Sequence, residues 1–262
     1  VFGFGGLELN RFERQAAAEI RGRLEGESAR VAVEVDLHGW WGGLTGDVGR
    51  ATILASEFST PGIPLFVEPE RSRRGRLREL RLDLRDFTLA GLRIEALEAR
   101  IPDCRYDLGL AQRQRKFRLS RSGEGTGWVR VREADLAAFV LRKFPEIKQV
   151  QITLKGGHVL VDGLGEFLIF QTRFFAVARL EPVDGRRLIL AEAKIYLDGW
   201  RPADEEARRA LLGVLNPVVD LDKDLGLAGA IDLERIEIRD GVLIGWGRTR
   251  IPTRPAAPAT SR

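Results

Sequence analysis

Apolar and polar positions recur along this chain with two different periods, and each change of period marks an element. From Trp128 to Arg132 the alternation is two, a strand. From Glu133 or Ala134 to just before Pro145, Leu136, Phe139, Val140 and Lys143 recur at three and four, the narrow stripe of an amphipathic helix. Gly156-Gly157 then supplies the two positive-φ residues that a type I′ hairpin turn needs. That turn sets Leu154 opposite Val159 and Ile152 opposite Val161 on one face, with Lys155/His158 and Gln151/Asp162 on the other.

Leu9, Phe12, Ala16, Ile20 and Leu24 recur at helical spacing, which predicts an N-terminal amphipathic helix opening near Asn10 and closing before Gly26. Period two runs from Ala29 to Leu119: Val31, Val33 and Val35, a Gly-rich turn after Trp40-Trp41, a strand near Val48 to Phe58, and a loop over 59–64. Leu80, Leu82 and Leu84 then oppose Arg81, Asp83 and Arg85, and the phase flips at Asp86, which predicts a β-bulge in a long curved strand. Leu92/Ile94, Tyr106/Leu108/Leu110 and Phe117/Leu119 continue the alternation. Ser122 to Gly127 lacks the lysine of a phosphate loop and opens a strand, so it reads as a turn, as does Phe2 to Gly6.

A second hairpin joins Leu164–Glu181 to Arg186–Trp200 across Asp184-Gly185. Counted from a two-residue turn, Leu180 faces Ile189, Ala178 faces Ala191, Ala176 faces Ala193, Phe174 faces Ile195 and Thr172 faces Leu197. Small side chains in mid-sheet either let a helix approach closely or leave a groove for a guest, and the pattern leaves both open. Residues 202–215 form a helix with Ala207, Leu211 and Leu215 inward, and 231–238 pairs with 242–246 across Asp240-Gly241. The domain runs to residue 250, and the proline-containing stretch 251–262 is a disordered tail.

Composition then narrows the chemistry. With 44% hydrophobic and 31% charged residues in 262, the chain can bury a sizeable core, and no window is apolar enough for a spanning helix. There is no methionine, which fits an N-terminal signal or anchor removed by processing. Cys104 has no partner for a disulfide, and His38 and His158 are too far apart in sequence to suggest a metal cluster or a nucleophile with its base. Asp222/Asp224 and Glu205/Glu206 read as solvated pairs, not as an acid and a base. The net charge is only +4, but arginines crowd 71–85 and 113–121; without interleaved aromatics they do not suggest nucleic acid, and they read as a solvated face or a contact for anionic lipid.

The order of elements, with LRLDLRDFTLAGLRI, GWVRVREADLAAFV, VQITLKGGHVLVDG and LNPVVDLDKDLGLAGAIDLERIEIRDGVLIGWG, resembles the LmeA-like phospholipid-binding proteins, a bacterial family formerly of unknown function. The resemblance covers nearly the whole chain and implies an α+β fold: a strongly curved antiparallel β-sheet wrapped on amphipathic helices, similar to tubular lipid-binding domains. It implies a non-enzymatic, extracytoplasmic protein of the periplasm or cell envelope that uses no cofactor and holds a phospholipid in an apolar groove. Its acyl chains are expected over Phe170, Phe174, Ala176, Ala178, Ala191, Ala193, Ile195 and Leu197. Arg113, Arg115, Lys116 and Arg118 are the expected cationic rim for an anionic headgroup, and Trp40-Trp41 the expected contact with a membrane surface. The alternative is an envelope scaffolding module that seats a protein segment in the same groove.

Overall fold

The computed structural model describes residues 4–37, 46–63, 67–68, 74–114, 116–167, 170–198 and 200–253, so the expectations for Trp40, Trp41 and Arg115 lie outside the described residues. Helix α1 (Phe4–Arg21) begins earlier than Asn10, and Phe4-Gly-Gly6 belongs to its first turns, not to a separate loop. It packs on β1 (Arg30–Leu37), where Glu13 Oε1 accepts the Val35 N–H at 2.8 Å and so satisfies one backbone donor on a strand edge.

A first sheet runs β1, β2 (Asp47–Ser56), β4 (Arg74–Leu89), β5 (Leu92–Asp107), β7 (Gly125–Arg132), β15 (Val242–Thr249) and β14 (Ile231–Arg239); short β3 (Ser59–Thr60) joins β4 and β6 (Leu119–Arg121) joins β5. Its neighbours are antiparallel apart from β2 and β3, which run parallel to β4. The β4–β5 hairpin keeps one register from Arg74↔Asp107 to Leu89↔Leu92, so Asp86 makes no bulge. Instead both strands reverse face together. Leu84 and Leu97 are inward on one side of Asp86 (φ 47°), Phe87 and Ile94 on the other, and the same happens near Asp103 (φ 49°) between Leu80/Ile101 and Leu77/Cys104. Leu108–Gln114 is not strand but helix α2, opened by Asp107, whose Oδ1 accepts the Leu110 N–H at 2.9 Å.

The second sheet, β12 (Arg201–Pro202), β11 (Arg187–Leu197), β10 (Phe170–Val183), β9 (His158–Phe167) and β8 (Ile147–Lys155), with β13 (Val219–Asp220) on β11, is a strongly curled half-barrel. Its β8–β9 hairpin has the register read from the sequence, Lys155↔His158 through Ile152↔Val161, with Gly156 at φ 59° and Gly157 at φ 76°. The β10–β11 register differs: Val183 pairs with Arg187, so Asp184-Gly-Arg186 is a three-residue link, and Glu192 at φ 50° adds a bulge. Ala176 therefore faces Ile195 and Phe174 faces Leu197, while Ala191 faces Arg179 on the outer side.

Helix α3 (Glu133–Lys143) covers β8 with Leu136, Phe139 and Val140, and α4 (Glu205–Leu215) lies against β11 with Leu211 and Leu215. Asp204 caps α4, its Oδ1 accepting the Ala207 N–H, and Pro202 stands before it in β12. The two sheets are stitched where Leu233 N–H donates to Gly185 O at 2.7 Å and Gly241 N–H to Leu154 O at 2.9 Å. Lys143 adds a half-buried clasp, its Nζ donating to Pro217 O, Val218 O and Asp224 Oδ2 at 2.7, 3.2 and 2.5 Å.

Candidate functional site

Strands β5, β7 and β15 lie side by side, and their inward positions are small: Ala99 pairs with Gly127, and Gly127 with Gly247. Side chains are excluded here by the closeness of neighbouring backbone. A Cβ on Gly247 would stand 2.2 Å from Asp232 O, one on Gly125 2.0 Å from Arg100 O, and one on Gly127 2.8 Å from Glu98 O. The turn read over 122–127 is therefore half wrong, because Gly125 and Gly127 are strand residues of the curved wall.

Over this floor opens an apolar groove of about 1190 Å³, its open mouth included. Leu80, Leu82 and Leu84 of β4, Leu97 and Ile101 of β5, Val129 of β7 and Leu233 of β14 form its long wall. Ile20 of α1, Leu24 just after it, Phe58, Ile63 and Val67, and Ile251 complete the lining. Ile251, which the sequence assigns to the tail, is buried in this wall, and its N–H donates to Ser122 Oγ at 2.8 Å. Thr249, one of the polar residues in the lining, is 6% exposed, and its Oγ1 has no hydrogen-bond partner.

The outer face of the same strands is charged and self-neutralising. Arg50 and Arg81 meet Glu79, Arg76 meets Asp103, Arg78 meets Asp47, Arg85 meets Asp83 and Glu98, and Arg132 meets Glu95. Trp128 Nε1 donates to Glu98 Oε2 at 3.3 Å, and Arg235 lies 4.0 Å over the Trp246 ring. The Arg81 guanidinium holds the Glu79 carboxyl below its ordinary range, and Arg132 does the same to Glu95. Among the described residues, Arg76, Arg78, Arg81 and Arg85 of the first arginine run are thus paired with acids within and across strands, in keeping with the solvated-face reading.

The residues expected to hold acyl chains lie elsewhere. Phe174, Ala176, Ala178, Ala193 and Ile195 share the inner face of β10–β11, each at most 5% exposed, and none lines the first-sheet groove. Leu197 is half-buried at the end of that face, Ala191 has turned outward with the bulge, and the Phe170 side chain lies outside the described residues. Of the expected cationic rim, Arg113 and Lys116 are exposed beside α2. Arg118 is not on a rim: it is 7% exposed, bonded to Glu19 Oε1 at 2.5 Å and 3.7 Å from Glu68, and ties α1 to the sheet. Asp222 and Asp224 are partly exposed but not free, since Arg186 and Lys143 hold them at 2.5 Å.

Sequence reasoning missed the glycine floor. The signal was the period-two spacing of Gly125/Gly127 and Gly245/Gly247 inside otherwise strand-like runs, which marks close backbone approach as readily as a turn. Cys104 and Tyr106, both buried under the β4–β5 hairpin, have their pKa values pushed up to about 12 by burial, so neither is a nucleophile at neutral pH.

A family model described as LmeA-like phospholipid-binding matches residues 72–245, which include β4 through the first half of β15 and so most of the groove wall. No curated protein and no solved structure matches the chain.

Proposed function

The chain belongs to the LmeA-like phospholipid-binding family, and we propose that it carries the acyl chains of its phospholipid in the first-sheet groove without chemical turnover. The observation that carries this reading is the groove itself, an apolar trough over a glycine and alanine floor, beside a second sheet whose small inward residues are already covered. Each acyl methylene moved from water into it contributes about 0.8 kcal/mol, so affinity grows with chain length and needs no specific polar contact.

Arg113 and Lys116, with Arg115, are our candidates for contact with an anionic headgroup; Arg118 is excluded from that role by its ion pairs. We further propose that it acts outside the cytoplasm, in the periplasm or cell envelope. Absence of turnover is supported by the engagement of the carboxylates Asp222 and Asp224 and by the exposure of His158, whose Nδ1 lies 2.9 Å from Gly156 O at a hairpin tip.

Organic extraction of the purified protein followed by mass spectrometry tests the reading. Near-stoichiometric phospholipid is expected, and Leu82→Trp, which puts an indole into the groove, should lose it while remaining folded. A folded wild-type protein that yields a bound peptide instead, or neither lipid nor uptake of a fluorescent phospholipid, would remove the proposal.

A further inference from the structure

The outer face of the β10–β11 hairpin carries an aromatic group that the groove does not use. Phe175 and Tyr196 are cross-strand partners there, and Trp200, just past the end of β11, joins them with ring centroids 4.7 Å from Phe175 and 5.9 Å from Tyr196. Trp200 is 68% exposed, the most exposed large hydrophobic residue among those described. It also sits at φ 67°, in the left-handed region that bulky residues avoid. The chain thus holds an indole in water, in an unfavourable backbone conformation, beside two other rings.

The charges around it are unlike those of the first sheet. Arg173 and Lys194 lie on the same outer face by register, and Arg201 follows Trp200; all three are exposed. Among the described residues none of them has a carboxylate in ion-pair range, whereas Arg76, Arg78, Arg85 and Arg132 on the outer face of the first sheet are bound to acids. The nearby acids are Asp162, cross-strand from Phe175, and Asp198, which accepts the Arg173 N–H at 3.0 Å.

We propose that Phe175, Tyr196 and Trp200, with Arg173, Lys194 and Arg201, form a docking surface for an anionic phospholipid bilayer. The chemistry matches: indole and phenol rings favour the headgroup zone of a membrane, and unpaired cations are attracted by its negative surface potential. A protein partner would satisfy the rings but leaves three uncompensated cations to explain. The surface is separate from the groove, so docking does not depend on where the acyl chains bind.

Co-sedimentation with vesicles of phosphatidylcholine, with and without phosphatidylglycerol, tests this. Wild type should bind the anionic vesicles and release them as salt is raised. Trp200→Gly relieves the backbone conformation, so its melting temperature should be equal or higher, while vesicle partitioning weakens about tenfold. Arg173→Gln and Lys194→Gln should each weaken partitioning about fivefold on anionic vesicles, with little effect on neutral ones. Leu82→Trp should still dock although it loses extractable lipid, which separates a failure here from a failure of the groove. The proposal is overturned if wild type ignores the vesicles, or if Trp200→Gly docks unchanged. It is also overturned if Trp200→Gly alters the oligomeric state in sedimentation equilibrium without altering docking, which would make the patch a contact between copies of the chain.

Discussion

Ala176, Ala178 and Ala193 of the second sheet and Ala99, Gly127 and Gly247 of the first hold comparable places, small residues at inward positions of adjacent strands. In the second sheet they lie in the packed core with α3 and α4, and in the first they floor an open groove. Small inward residues therefore state only that something comes close. What comes close depends on which segment the topology leaves opposite: in the second sheet the helices α3 and α4, in the first the end of α1, the stretch around Ile63 and Val67, and Ile251.

The contrast is broken most severely by freeing the flank of the first sheet. Arg118→Met removes the partner of Glu19 and Glu68 and should cost about 3 kcal/mol, since an acid near the interior loses its counter-charge. Urea unfolding would read the loss, and lipid extraction should fall with it as Ile20 and Leu24 detach from the groove. Arg113→Met, at an exposed position, is the control and should leave stability unchanged.

Next in size is one substitution made in both sheets. Ala178→Trp enters packed space and should destabilise by about 1–3 kcal/mol or prevent folding. Leu82→Trp enters open space and should leave the melting temperature nearly unchanged while abolishing phospholipid recovery. If the two variants behave alike, the distinction between a filled and an open face is lost.

Thr249→Val sharpens the picture from the other side. The hydroxyl has no partner, so its replacement by a methyl should raise stability by about 1 kcal/mol in thermal unfolding and leave lipid uptake intact.

The smallest effect concerns pH. Glu79 and Glu95 have folded-state pKa values below their ordinary ones because of Arg81 and Arg132. Their contribution is thus complete above the ordinary carboxylate range and is lost as pH falls through the lowered values. At these partly exposed sites each pair should be worth about 0.2–1 kcal/mol, visible as a modest acid-side fall in stability that Glu79→Gln and Glu95→Gln together flatten.

How much of this was legible in the chain depended on local turn chemistry. Gly156-Gly157 determines the β8–β9 pairing by itself, so that register could be counted residue by residue. Asp184-Gly185 did not, because Arg186 joined the link and Glu192, already an outward charge, absorbed a bulge without disturbing the visible alternation. Helix α3 was readable from its stripe, whereas α2 was hidden because Leu108 and Leu110 extend the alternation of β5. The groove was not legible, because its wall is assembled from β4, β5, β7, β14 and β15, and because a glycine kept small by a neighbouring carbonyl looks in sequence like one kept for a turn. Arg118 could not be told from its exposed neighbours, since its partners Glu19 and Glu68 are distant in sequence.

The paired reversals of face at Asp86 and Asp103 limit how the β4–β5 hairpin can change in length. Because both strands turn over at the same level and the register never shifts, an insertion of one residue in either strand alone would send every side chain beyond it to the wrong side. Length variation within this hairpin should therefore come as matched two-residue insertions or deletions in both strands, which keep pairing and face alike, and a homologue or a designed variant that gains two residues before Asp86 should gain their counterparts after Glu95.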